Sequence, residues 1–142
     1  MEEANEVATI EEMAMRIRQF YRPEIFRADL DDSLLEAAAR MDRHEVGALA
    51  VFEGGTLIGM ISERDVTRAV AQEADPRSAT VAQFMSLSVL TADEEETSAE
   101  VAQRMLDAGV RHLPVVKGGE VVGTISIRDL LALELWYPPS LC

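Results

Sequence analysis

From Leu34 the apolar residues Leu35, Ala38 and Met41 follow at a spacing that makes one face of an α-helix, with Ser33 as candidate N-cap. The same pattern returns at Ala99, Ala102, Met105 and Leu106, behind Thr97. After each helix come two apolar runs separated by a Gly-Gly pair. They predict strands over 46–52 and 57–61, and again over 110–116 and 121–125. Gly54-Gly55 and Gly118-Gly119 suit the tight hairpin turns, where positive φ is needed. A further helix follows each hairpin, over 65–72 and 129–135. Ahead of all this, Val7, Ile10, Met13, Ile17 and Phe20 recur at helical spacing up to Pro23. That amphipathic helix must bury its stripe, on its own domain or on a second subunit. Between the two patterned halves Pro76 breaks the chain, and Thr80 can cap a short turn through Met85.

The halves are copies. GMISERD runs from Gly59 to Asp65 and GTISIRD from Gly123 to Asp129, an offset of 64 residues. The same offset places Ala28-Asp29 on Ala92-Asp93, Arg40-Met41 on Arg104-Met105, and Leu49 and Val51 on Leu113 and Val115. Two copies of one supersecondary unit are too few for a solenoid, so face-to-face packing around a shared core is expected. The fold class read from the pattern is α+β, each copy a small sheet covered by helices.

Composition narrows the function. The chain has 142 residues and a formal net charge of -13, which argues against binding nucleic acid or an anionic membrane. A small anion in a local basic pocket stays possible. The single cysteine, Cys142, allows no internal disulfide and no Cys-based metal cluster. An acidic start and the lack of a membrane-length apolar run predict a cytoplasmic protein. His44 and His112 are the only histidines, and no metal or nucleophile motif surrounds them, so an enzyme is not expected.

The chemistry concentrates at Ser62-x-x-Asp65 and Ser126-x-x-Asp129. A Ser at a helix start with an acid three residues on makes a capping box, which satisfies two backbone donors. The same corner can also bind a ligand. A helix N-terminus favours phosphate, the Ser hydroxyl can bond a phosphate oxygen, and the Asp can accept from the two hydroxyls of a ribose. Gly59 and Gly123 leave room for a ligand or for another backbone. Capping and binding can coexist.

RHLPVVKGGEVVGTISIRDLL in the second copy and VGALAVFEGGTLIGMISERDV in the first carry a resemblance to a tandem pair of CBS domains, the Bateman module, over residues 24–135. The resemblance implies two β-α-β-β-α repeats packed as an intramolecular pseudo-twofold pair. It divides the chain into an N-terminal helix (1–23), a first repeat (24–75), a linker (76–86), a second repeat (87–135) and a tail (136–142). It also implies that the Ser/Thr-x-x-Asp segment contacts an adenosine nucleotide. The stronger pocket would join Ser126, Asp129, Arg128 and Thr124 to the basic pair Arg111 and His112, with Val46, Gly47 and Ala48 forming part of the base wall. The second would join Ser62, Asp65, Arg64 and Met60 to Val110 and Arg111. The first copy departs from the pattern, with Gly47-Ala48 where the second has Arg111-His112. The implied function is a stand-alone regulatory module, binding AMP, ADP, ATP or S-adenosylmethionine and signalling to a partner protein. A homodimer is also implied. The alternative is a ligand-free dimeric scaffold in which both boxes only cap helices.

Overall fold

A computed structural model describes residues 15–87 and 89–136. Most of the N-terminal stripe, Val7 to Met13, lies outside the described residues, as do Tyr137 and Cys142. The chain divides into two compact units. One is Glu24–Leu90; the other joins the described parts of Met1–Pro23 and Thr91–Cys142.

The Glu24–Leu90 unit contains β1 (Arg27–Asp29), α1 (Leu34–His44), β2 (Ala48–Glu53), β3 (Thr56–Ser62), α2 (Glu63–Ala71) and the single turn α3 (Val81–Phe84). Its sheet has the order β1-β2-β3, with β1 parallel and β3 antiparallel to β2. The other unit repeats the plan with β4 (Ala92–Asp93), α4 (Ser98–Ala108), β5 (His112–Lys117), β6 (Glu120–Ser126) and α5 (Ile127–Trp136). The expected α+β repeats are present.

Local chemistry sets the boundaries. Ser33 and Thr97 cap α1 and α4, each accepting a bond from the backbone of a glutamate three residues on. Glu36 and Glu100 answer by accepting from the cap backbones. The Thr97 backbone bond is the main reason the Glu100 carboxyl lies below its ordinary range. Both helices end on a left-handed residue, Glu45 at φ 56 and Gly109 at φ 69. Val46 and Val110 then donate back to Met41 and Met105, so they finish the helices. For that reason β2 and β5 start later than the apolar runs suggest. The hairpins turn on Gly54-Gly55 and Gly118-Gly119, all at positive φ.

One expectation needs correction. The buried stripe of α1 is Leu34, Ala37 and Met41, while Leu35 is 44% exposed; in α4 it is Val101 and Met105, while Leu106 is 68% exposed. The faces are rotated because the sheet is met along the i, i+3, i+7 row. Buried apolar side chains fall into two clusters, one within each unit.

Each core is closed by a segment that sequence reasoning set outside the repeats. Ala79 and Val81 belong to the core of the Glu24–Leu90 unit. Ile17, wholly buried, belongs to the core of the other. The described end of the N-terminal stripe is a short 3-10 turn, Ile17–Gln19, not an α-helix. Its backbone is held by Glu96 and Glu94, through Ile17 and Arg18 at 2.9 and 2.8 Å.

A buried-edge ion pair recurs in each copy. Arg40 reaches the carbonyl of Arg27 and the carboxylate of Asp32. Arg104 reaches the carbonyl of Thr91 and the carboxylate of Glu96. Both tie the central helix to the first strand.

Ile17→Ala should destabilise the protein by about 2–5 kcal/mol in chemical denaturation, the range for truncating a buried aliphatic side chain. The Arg104 hydrogen bond, the largest cause, holds the Glu96 carboxyl below its ordinary value of 4.5. A lowered folded-state value stabilises above that ordinary value and is lost as pH falls through the folded one. Glu96→Gln should therefore cost up to about 1 kcal/mol at neutral pH. The gap between the two proteins should close as unfolding is measured at pH values progressively below 4.5.

Candidate functional site

Each Ser-x-x-Asp segment sits where an outer strand turns into a helix. In the Glu24–Leu90 unit, Ala48 lies opposite Ser62 and Ala50 opposite Met60. The Gly47 carbonyl accepts from the backbone of Glu63, the first residue of α2, at 3.0 Å. Val46, Gly47, Ala48, Met60, Ser62, Arg64 and Asp65 thus share one end of the sheet. In the other unit His112 lies opposite Ser126 and Pro114 opposite Thr124, and the Arg111 carbonyl accepts from Ile127 at 2.9 Å. Val110, Arg111, His112, Thr124, Ser126, Arg128 and Asp129 therefore share the equivalent end. Arg111, Arg64 and Arg128 are exposed.

The two corners use the same letters differently. Ser62 donates to one oxygen of Asp65 through both its backbone N–H (2.8 Å) and its hydroxyl (3.0 Å). The Asp65 backbone donates to the Ser62 hydroxyl at 3.3 Å. The second Asp65 oxygen accepts from Arg68, one turn further along α2, at 3.2 Å. Asp65 is buried, at 8% exposure. Here the capping box is complete and its carboxylate is engaged on both oxygens.

In the second corner the Ser126 hydroxyl again accepts from the Asp129 backbone, at 3.0 Å. The carboxylate has a different partner. Arg22 donates from Nε to one oxygen and from a terminal nitrogen to the other, both at 3.2 Å. The Asp129 side chain is 19% exposed and that of Arg22 64%.

The glycines explain how Arg22 arrives. A Cβ on Gly123 would lie 2.1 Å from the Arg22 carbonyl oxygen, and one on Gly59 would lie 2.6 Å from that of Ser86. Of the two occupants the sequence allowed, a backbone is the one present. Arg22 and Thr124 exchange backbone bonds of 2.9 and 2.8 Å; Met60 and Ser86 exchange bonds of 3.0 and 2.8 Å.

Two partners of these carboxylates, Arg68 and Arg22, do not follow from the motif alone. Arg68 was available to sequence reasoning, since it lies three residues after Asp65 on a helix. Arg22 was not, because no periodicity links residues 107 positions apart. His44 stacks on Phe26 with ring centroids 4.8 Å apart, a packing role. Among the described residues no group of three or more His, Cys, Asp or Glu could hold a metal ion. Nor is any helix among them long and apolar enough to cross a membrane.

The CBS-domain sequence profile matches residues 17–72 and 81–135. The chain belongs to the CBS-domain family. The first span starts in chain that packs with Thr91–Cys142 and the second in chain that belongs to the Glu24–Leu90 unit, so the family's repeat follows chain order while each compact unit follows packing. The CBS domain-containing protein YhcV of Bacillus subtilis is 33% identical over 106 residues, covering 74% of this chain and 75% of its own. Among solved structures, a protein with CBS domains from Burkholderia ambifaria is similar at a TM-score of 0.78 and 30% identity, covering 82% of this chain and 86% of that one. The CBS domain pair of protein MJ0100, solved with 5′-methylthioadenosine and S-adenosyl-L-methionine, gives 0.76 and 27%, with 84% and 95% covered. The CBS domain protein PAE2072 from Pyrobaculum aerophilum, complexed with AMP, gives 0.72 and 28%, with 81% and 89% covered.

Proposed function

We propose that this CBS pair is a regulatory module and not an enzyme. It binds an adenine nucleotide or adenosyl ligand and passes its ligand state to a partner protein. The observation that carries this is the Asp129 carboxylate, which offers both oxygens to a two-donor partner at the edge of the fold. A ribose presents two donors in the same way. Ser126, Thr124, Arg128, Arg111 and His112 stand at that end of the sheet, and two structural relatives were solved with adenosyl ligands. The Asp65 corner favours the second reading, a ligand-free scaffold, because its carboxylate is committed to Ser62 and Arg68. The ligand site is therefore assigned to the second repeat.

Thermal denaturation with AMP, ATP or S-adenosylmethionine tests this directly. Bound ligand stabilises by RT ln(1 + [L]/Kd), so micromolar affinity gives a clear rise in Tm at millimolar ligand. In calorimetry Asp129→Ala should weaken binding about ten- to a hundredfold, the worth of hydrogen bonds to a charged acceptor. Asp65→Ala should cost less affinity and more stability. Equal affinity losses would remove the assignment to the second repeat, and no binding by the native protein would leave the scaffold.

The proposal includes a homodimer in the cytoplasm. Leu35, Val70, Leu106 and Leu131, between 44% and 68% exposed, supply apolar helix surface for self-association. Light scattering should give twice the 15.6 kDa chain mass at micromolar concentration; the mass of one chain rejects the dimer.

A further inference from the structure

We propose that Arg22 is a latch: its guanidinium fills the place of a diol on Asp129, and a ligand must displace it to reach the carboxylate. The inference rests on the adenosyl reading above. A guanidinium edge and a vicinal diol are alike in presenting two parallel donors to the two oxygens of one carboxylate. Arg22 makes that contact through Nε and a terminal nitrogen, each at 3.2 Å. The two donor sets cannot occupy the same carboxylate geometry together.

The latch is built to open without unfolding. The backbone of Arg22 is fixed to β6 by its two bonds with Thr124. Its side chain is 64% exposed and can swing into water while the backbone stays. An ion pair that exposed is worth little, so displacement taxes binding modestly. By linkage the coupling is reciprocal: a bound diol displaces Arg22 from Asp129, and anything that holds Arg22 elsewhere favours the ligand. The Asp65 corner has no counterpart of this kind, since its guanidinium comes from its own helix.

Calorimetry with adenosine tests the latch, because an uncharged nucleoside removes any contribution of Arg22 to binding phosphate. Arg22→Ala and Arg22→Gln should both bind adenosine about two- to fivefold more tightly than the native protein. Added NaCl screens the ion pair and should tighten adenosine binding to the native protein, leaving both variants flat. Circular dichroism and thermal melts confirm that the variants are folded, with Gln keeping the aliphatic stem. If native protein binds adenosine and both variants bind it equally or more weakly, the latch is overturned and the adenosyl reading stands. If neither the native protein nor a variant binds adenosine, AMP or S-adenosylmethionine, both fall.

Discussion

The outer edge of the third strand in each sheet would expose unpaired backbone groups if the repeat ended where its sequence pattern ends. Chain from elsewhere closes it. Residue 22 pairs with Thr124 and Ser86 pairs with Met60, each through two backbone bonds. A second pair of bridges obeys the same rule, Arg16 with Thr97 and Thr80 with Ser33. Within each pair the 64-residue offset converts one bridge into the other if the segment before one copy is assigned to the other copy. An uncovered edge invites pairing with other chains, so the exchange is also a protection. Gly59 and Gly123 are the space it requires.

The exchange decides what the two Ser-x-x-Asp corners become. Crossing into the second repeat's sheet carries Arg22 onto Asp129. The equivalent crossing brings Ser86 to Met60, and Asp65 takes its arginine from its own helix. Identical motif letters thus give one carboxylate turned into a cap and another turned toward a remote cation. The asymmetry of the two corners arises from the segments ahead of the repeats as well as from Gly47-Ala48 against Arg111-His112.

An arginine brace is repeated in the two units. Arg40 and Arg104 each bind a carboxylate and the carbonyl of the residue at or before the first strand. In each brace one terminal guanidinium nitrogen reaches both acceptors, and Arg104 adds a second bond to Glu96 from its other terminal nitrogen. These contacts fix the helix to the chain at the first strand of each sheet.

The sequence by itself determined the repeat, the helices with their Ser33 and Thr97 caps, the hairpins at the Gly-Gly pairs, and the Ser-x-x-Asp corners. These depend on bonds between residues a few positions apart, and such bonds leave a pattern in the letters. Which core Ile17 enters, and the role of Ala79 and Val81, did not show, because burial in a core depends on what the chain returns to. The rotated faces of α1 and α4 had the same cause: Leu35 and Ala37 both suit a helix, and only the position of the sheet chose Ala37. Arg22 on Asp129 was the least legible feature. Its partner lies 107 residues away, so only the tertiary fold, by closing a strand edge, could bring that charge to that carboxylate.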